Sequence, residues 1–274
     1  MRSVRLSQVF FAIAAASLAV WSLAYRHFAW QSVPGWFPWP AAWIYASALI
    51  LLAASIGLCF TRTALASALV IGAYLALVAV LSVPQIFAQP LGVGAWYPFC
   101  EAVTSLVGAW LIYVLLQRES RASAAPIAGE GAVYAAQVLF GLTCVFYGWS
   151  HFVYADYTAS MVPAWLPGHL PLAYFTGAGH IAAGAAIIVG ILPGLAATLE
   201  AAMMSLFGLL VWVPSFFAQP RPKWAAVPEN QWSELVVNLL LASAAWIVAV
   251  SIWKSLRGRA GSPLASNASR QGGT

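Results

Sequence analysis

Along the chain, long apolar runs alternate with short polar or proline-rich breaks. Eight runs stand out, near 6–25, 41–60, 64–83, 97–116, 132–152, 172–192, 195–214 and 232–253. Each approaches the length of about 20 residues that an α-helix needs to cross a hydrocarbon core of about 30 Å. The second, AAWIYASALILLAASIGLCF, carries no charge from Ala41 to Phe60. The pattern predicts an all-α integral membrane protein of eight transmembrane helices.

Composition sharpens this expectation. The chain is 62% hydrophobic and 7% charged, with a mean hydropathy of +0.84. Soluble domains carry roughly a quarter charged residues, so a water-facing surface cannot be built from this sequence. Arg2 and Arg5 followed by FFAIAAASLAV read like the opening of a signal peptide. The run has a counterpart later in the chain, which a removable signal would lack, so it is read as a retained span.

The net charge of +5 comes from bases set singly or in pairs at the ends of apolar runs, not in a stripe suited to nucleic acid. In an eight-span arrangement nine basic residues fall on one side and three, Arg26, Arg221 and Lys223, on the other. The positive-inside rule then makes both termini cytoplasmic. Cys59, Cys100 and Cys144 lie in separate apolar contexts without Cys-x-x-Cys spacing. They read as small buried hydrophobes and not as a disulfide framework or thiolate cage.

Two phrases recur. VPGWFP at 33–38 returns as VPAWLP at 162–167, and VPQIFAQP at 83–90 returns as VPSFFAQP at 213–220. The offsets, 129 and 130, are almost equal, and Tyr45 lands on Tyr174 at the first of them. We read a duplication: a four-span unit over 1–116, a cytoplasmic linker over 117–131, a second unit over 132–256 and a disordered tail over 257–274. Because four spans are even in number, both copies enter the membrane in one direction. Their pseudo-twofold axis would run along the membrane normal, giving parallel repeats with all four phrases on the outer face. Val-Pro at 83–84 and 213–214 reads as a helix exit, since proline lacks an amide proton and disfavours helix before it. The following phenylalanine would sit at headgroup depth, and the VPxWxP loop would fold its tryptophan over the bundle mouth.

Residues 147–186, YGWSHFVYADYTASMVPAWLPGHLPLAYFTGAGHIAAGAA, with QWSELVVNLLLASAA at 231–245, resemble the DoxX family of small four-helix membrane proteins. The first half keeps His27-Phe28, VPGWFP, VPQIFAQP and Glu101, but Ser47, Ala48 and Leu51 stand where the second half has Thr176, Gly177 and His180. The resemblance implies a bacterial inner membrane, association with respiratory or sulfur-linked oxidoreductases, and a quinone or similar lipophilic ligand bound near the outer face.

Within the second half, His180 falls about eight residues into its run, roughly 12 Å below the outer boundary at 1.5 Å per residue. An ionisable group at that depth is a functional candidate, the alternative being an imidazole hydrogen-bonded inside the bundle. Glu234 and Asn238, at i and i+4, share a helix face. With His180 they form the expected catalytic set, positioning a head group and moving protons, although Glu234 and its counterpart Glu101 could simply complement a helix dipole. His151, Trp149, Trp165, Thr176, Gly177 and Trp232 complete a candidate ligand site. Gly177 and Gly184 also suit close helix packing. Glu200 reads as reaching the interface or pairing with a base such as Arg62. His151 and His180 could in principle ligate haem or a metal, but no spacing fixes their distance and no metal site is expected. Ten of the 14 tryptophans fall at or near the outer face, as in an interfacial belt. The reading favoured by these residues and the resemblance is a membrane subunit of a quinone-linked redox system. A non-catalytic scaffold for a redox-enzyme partner is the alternative, and small-solute transport is weaker because no broken helices are evident.

Overall fold

The computed structural model describes residues 2–28, 38–120, 126–218, 222–223 and 226–260. The helices are α1 (Arg2–Tyr25), α2 (Pro40–Leu58), α3 (Ala64–Ala88), α4 (Val93–Ser120), α5 (Glu130–Val153), α6 (Ala155–Met161), α7 (His169–Val189), α8 (Pro193–Phe207), α9 (Val213–Ser215) and α10 (Pro228–Ala260). A π-helical stretch, Gly208–Trp212, joins α8 to the single turn α9. Counting that rod as one, eight helices are long and apolar enough to cross a membrane. The expected spans are all present, and several are longer than the apolar runs that announced them. The chain is a polytopic membrane protein.

Helix neighbours follow a simple scheme. α1 packs on α2 and α10, α2 on α3, and α3 on α4; α5 packs on α7 and α4, α7 on α8, and α8 on α10; α4 and α10 lie against one another. α1 meets α4 only marginally, so the first four helices do not close into a bundle of their own. The central pair is the most enclosed, with 67% and 72% of the spanning windows of α4 and α10 buried against 33% for α2 and α7. Gly108 makes that closeness possible: a Cβ there would lie 2.8 Å from Ala244 Cβ and 2.7 Å from the Phe11 ring.

His27 Nε2 meets Glu229 Oε1 at 2.6 Å, tying the end of α1 to the start of α10. We term this end the motif face. At the opposite, terminal face Lys254 Nζ meets Glu119 Oε1 at 3.0 Å.

The repeated phrases differ from expectation. Val83-Pro84 does not end its helix, because α3 runs through Pro84 to Ala88. A proline removes one donor and crowds the carbonyl four residues back, a local cost that this helix absorbs near its end, with Gln89 N–H again reaching Gln85 O at 3.0 Å. Val213-Pro214 likewise lies inside its rod. There the backbone widens beforehand into the π stretch, where Val213 N–H donates to Gly208 O. Phe87 and Phe217, the phenylalanines of the two phrases, are each 80% exposed, as interfacial residues should be. Trp165, in the turn between α6 and α7, is 70% exposed, so its ring is not packed against the helices. VPGWFP lies outside the described residues except for Pro38, as do residues 261–274 of the tail and residues 121–125 of the linker. Cys100 and Cys144 are buried, but Cys59 is exposed because α2 ends beside it.

Candidate functional site

α7 and α8 are joined by a tight turn in which Gly190 (φ 77°) and Leu192 (φ 45°) take left-handed conformations. His180 and Glu200 are equally far from Gly190 in sequence, so an antiparallel hairpin brings them to one depth. His180 Nδ1 and Glu200 Oε1 are 2.6 Å apart. The pair is enclosed, with side chains 3% and 0% exposed. Because α7 begins at His169, earlier than expected, His180 lies about 16 Å below its motif-face end at 1.5 Å per residue. This refines the expectation for Glu200, which reaches no interface and pairs with His180, not with Arg62.

The pair is lodged among rings and a thiol. His180 lies edge-on to His151 at 5.2 Å between centroids and to Tyr147 at 6.2 Å, while Phe207 is 5.7 Å from His180 and 6.0 Å from His151. The Cys144 thiol faces Glu200 from α5, yet Glu200 Oε2 has no hydrogen bond among the described residues. His151 Nδ1 is 3.0 Å from Thr176 Oγ1. Thr176 donates its own proton to the Leu172 and Ala173 carbonyls. His151 Nδ1 also lies 3.4 Å from the Ala173 carbonyl, which can only accept, so Nδ1 carries the proton and Nε2 is the basic nitrogen. Donation to the Glu200 carboxylate gives His180 the same tautomer.

A second polar set lies between α4 and α5. Thr104 donates to Thr143 at 2.8 Å and meets Tyr147 Oη at 3.0 Å, and Tyr97 donates to Ser150 at 2.6 Å. Tyr147 thus borders both this set and His180. Thr104→Val removes a hydroxyl that bridges two buried partners and is expected to cost about 1 kcal/mol, read as a small fall in the thermal midpoint of the detergent-solubilised protein.

The remaining candidates go elsewhere. Asn238 turns to α8, donating to the Met204 carbonyl at 3.2 Å, with Oδ1 buried beside Gly208 and unpartnered among the described residues. Glu234 is exposed on α10, away from His180 and toward Tyr157. On α6, outside the spans, burial pushes the Tyr157 phenol pKa up and the Glu234 charge adds to the effect. Trp232 packs on Phe216 at 4.5 Å between centroids. Trp149 lines an apolar groove of about 390 Å³ between α4 and α5. Gly177 lies in the α5–α7 seam, where a Cβ would come within 2.8 Å of His151 Cβ. So the fold assembles His180, His151, Thr176 and Gly177, leaves out Glu234 and Asn238, and adds Glu200, Tyr147 and Phe207. The even spacing of His180 and Glu200 about Gly190 was the signal that could have found the pair. His151 and His180 are already in edge contact, which leaves no gap for a flat macrocycle between them. Among the described residues, no group of three or more His, Cys, Asp or Glu side chains could hold a metal ion.

No family model, curated protein or solved structure matches the chain.

Proposed function

We propose that the protein is a membrane subunit of a quinone-linked redox system, in which the His180–Glu200 pair exchanges protons with the ring of a lipophilic quinone while a partner's redox centre exchanges the electrons. The observation that carries this reading is the buried 2.6 Å His180–Glu200 contact midway along α7. Ionisable groups at such depth are costly and are kept where protons or ligands are handled. The free Nε2 of His180 supplies a base, and the adjacent carboxylate stabilises the imidazolium that forms. The resemblance to DoxX proteins points the same way. The neighbour scheme also supports a duplicated four-span unit, since each packing of α1 to α4 has a mate among α5 to α10 and the fourth helices meet at the centre. Only the second unit holds the pair, Leu51 standing where His180 would be.

Extraction of bound lipids from gently solubilised protein, with native mass spectrometry, tests this reading. A quinone retained by the wild type and lost from His180→Ala is expected. Equal retention by both, or bulk phospholipid alone, would overturn it. The second result would favour the scaffold reading, for which the exposed Phe87, Phe217 and Trp165 on the motif face offer docking points.

A further inference from the structure

We infer that His151 is the proton gate of the site, relaying protons between His180 and the motif face, so that the pair communicates with that face alone. The inference rests on the proton-exchanging reading of His180–Glu200 but not on the identity of the proton donor. Three observations carry it. The two imidazoles are in edge contact, with centroids 5.2 Å apart. Both have Nδ1 engaged, His180 with Glu200 and His151 with Thr176, so each presents Nε2 as the exchangeable nitrogen. His151 lies in the last turn of α5 and is partly exposed, whereas His180 is 2% exposed.

Depth forms a graded series: Glu200 fully enclosed, His180 almost so, His151 at the rim. Chains of this kind are the usual material of intramembrane proton relays. In the step, the Nε2–H bond of an imidazolium His180 breaks and an Nε2–H bond forms on His151. His151 then releases its Nδ1 proton past Thr176 to water and returns to its starting tautomer by ring-nitrogen exchange with solvent. Protons are conserved and no electrons move. Toward the terminal face, the thiol of Cys144 is the group set against Glu200, with Tyr147 to the side, whereas Phe207, seven residues past Glu200 on a helix that climbs toward the motif face, packs beside both imidazoles. None matches imidazole as a base near neutral pH.

The chain has only four histidines, so ring-¹⁵N labelling of the full-length protein in nanodiscs gives an assignable spectrum. Exchange of the His180 ring proton with water is the readout. Slowing of about tenfold or more in His151→Gln and His151→Phe is expected, with the backbone spectrum retained in at least the glutamine variant. Free imidazole added to His151→Gly should restore the rate, which a purely structural role would not allow. Unchanged exchange in His151→Gln, or slowed exchange that imidazole fails to rescue, would overturn the relay. Loss of quinone retention in His180→Ala is a separate measurement, so the redox reading can fail while the relay stands.

Discussion

Gly148→Leu and Gly184→Leu are each expected to separate α5 from α7 and to unfold the second half at temperatures the native protein withstands. A Cβ on Gly148 would overlap the Gly177 carbonyl, and one on Gly184 would overlap the Gly141 carbonyl. These obstacles are backbone atoms on a neighbouring helix, which cannot rotate aside as a side chain can. Overpacking of a tight core costs about 1–3 kcal/mol, and a backbone clash belongs at the upper end. Small residues are what let membrane helices approach this closely, because lipid offers no hydrophobic force to hold them. Thermal unfolding in detergent should show both variants far below wild type. Gly131→Ala is the control, since nothing lies within 4 Å of a Cβ there. Native-like midpoints for both leucine variants would mean that the seam is looser than described. The same seam carries His151 and Gly177, so its failure should also disorder the site.

Glu200→Ala is expected to be the most damaging change at the site, and a double change should undo most of the damage to stability. Removing one member of a buried pair leaves the other without compensation, at a cost of about 3 kcal/mol or more. Replacing both members by apolar residues of similar volume is often neutral. His180→Leu/Glu200→Leu should therefore recover a near-native unfolding midpoint while remaining inactive in proton-linked quinone chemistry. Glu200→Gln keeps the shape but not the charge that supports an imidazolium, and a loss of roughly 10²–10⁴-fold in such activity is expected. A double variant that is both stable and active would show the pair to be mere packing.

The number and order of the membrane spans were legible in the sequence, because hydropathy over about 20 residues is a local property set by the thickness of the bilayer. His180 was legible as a candidate for a related reason: an ionisable group in an apolar run is conspicuous wherever the helix packs. Its partner was not. Glu200 lies on a different helix, and its contact with His180 depends on the length and left-handed geometry of the turn at Gly190 and Leu192. Glu234 and Asn238 illustrate the converse. Their i, i+4 spacing does place both on one side of α10, but whether that side meets His180 depends on helix rotation, which packing of α10 against α8, α1 and α4 decides. Pro84 and Pro214 lie near the motif-face ends of their rods, but they do not end the helices. A lost amide donor is a local fact, whereas its accommodation, by a continuous helix at Pro84 and a π stretch before Pro214, is decided by the surrounding bundle.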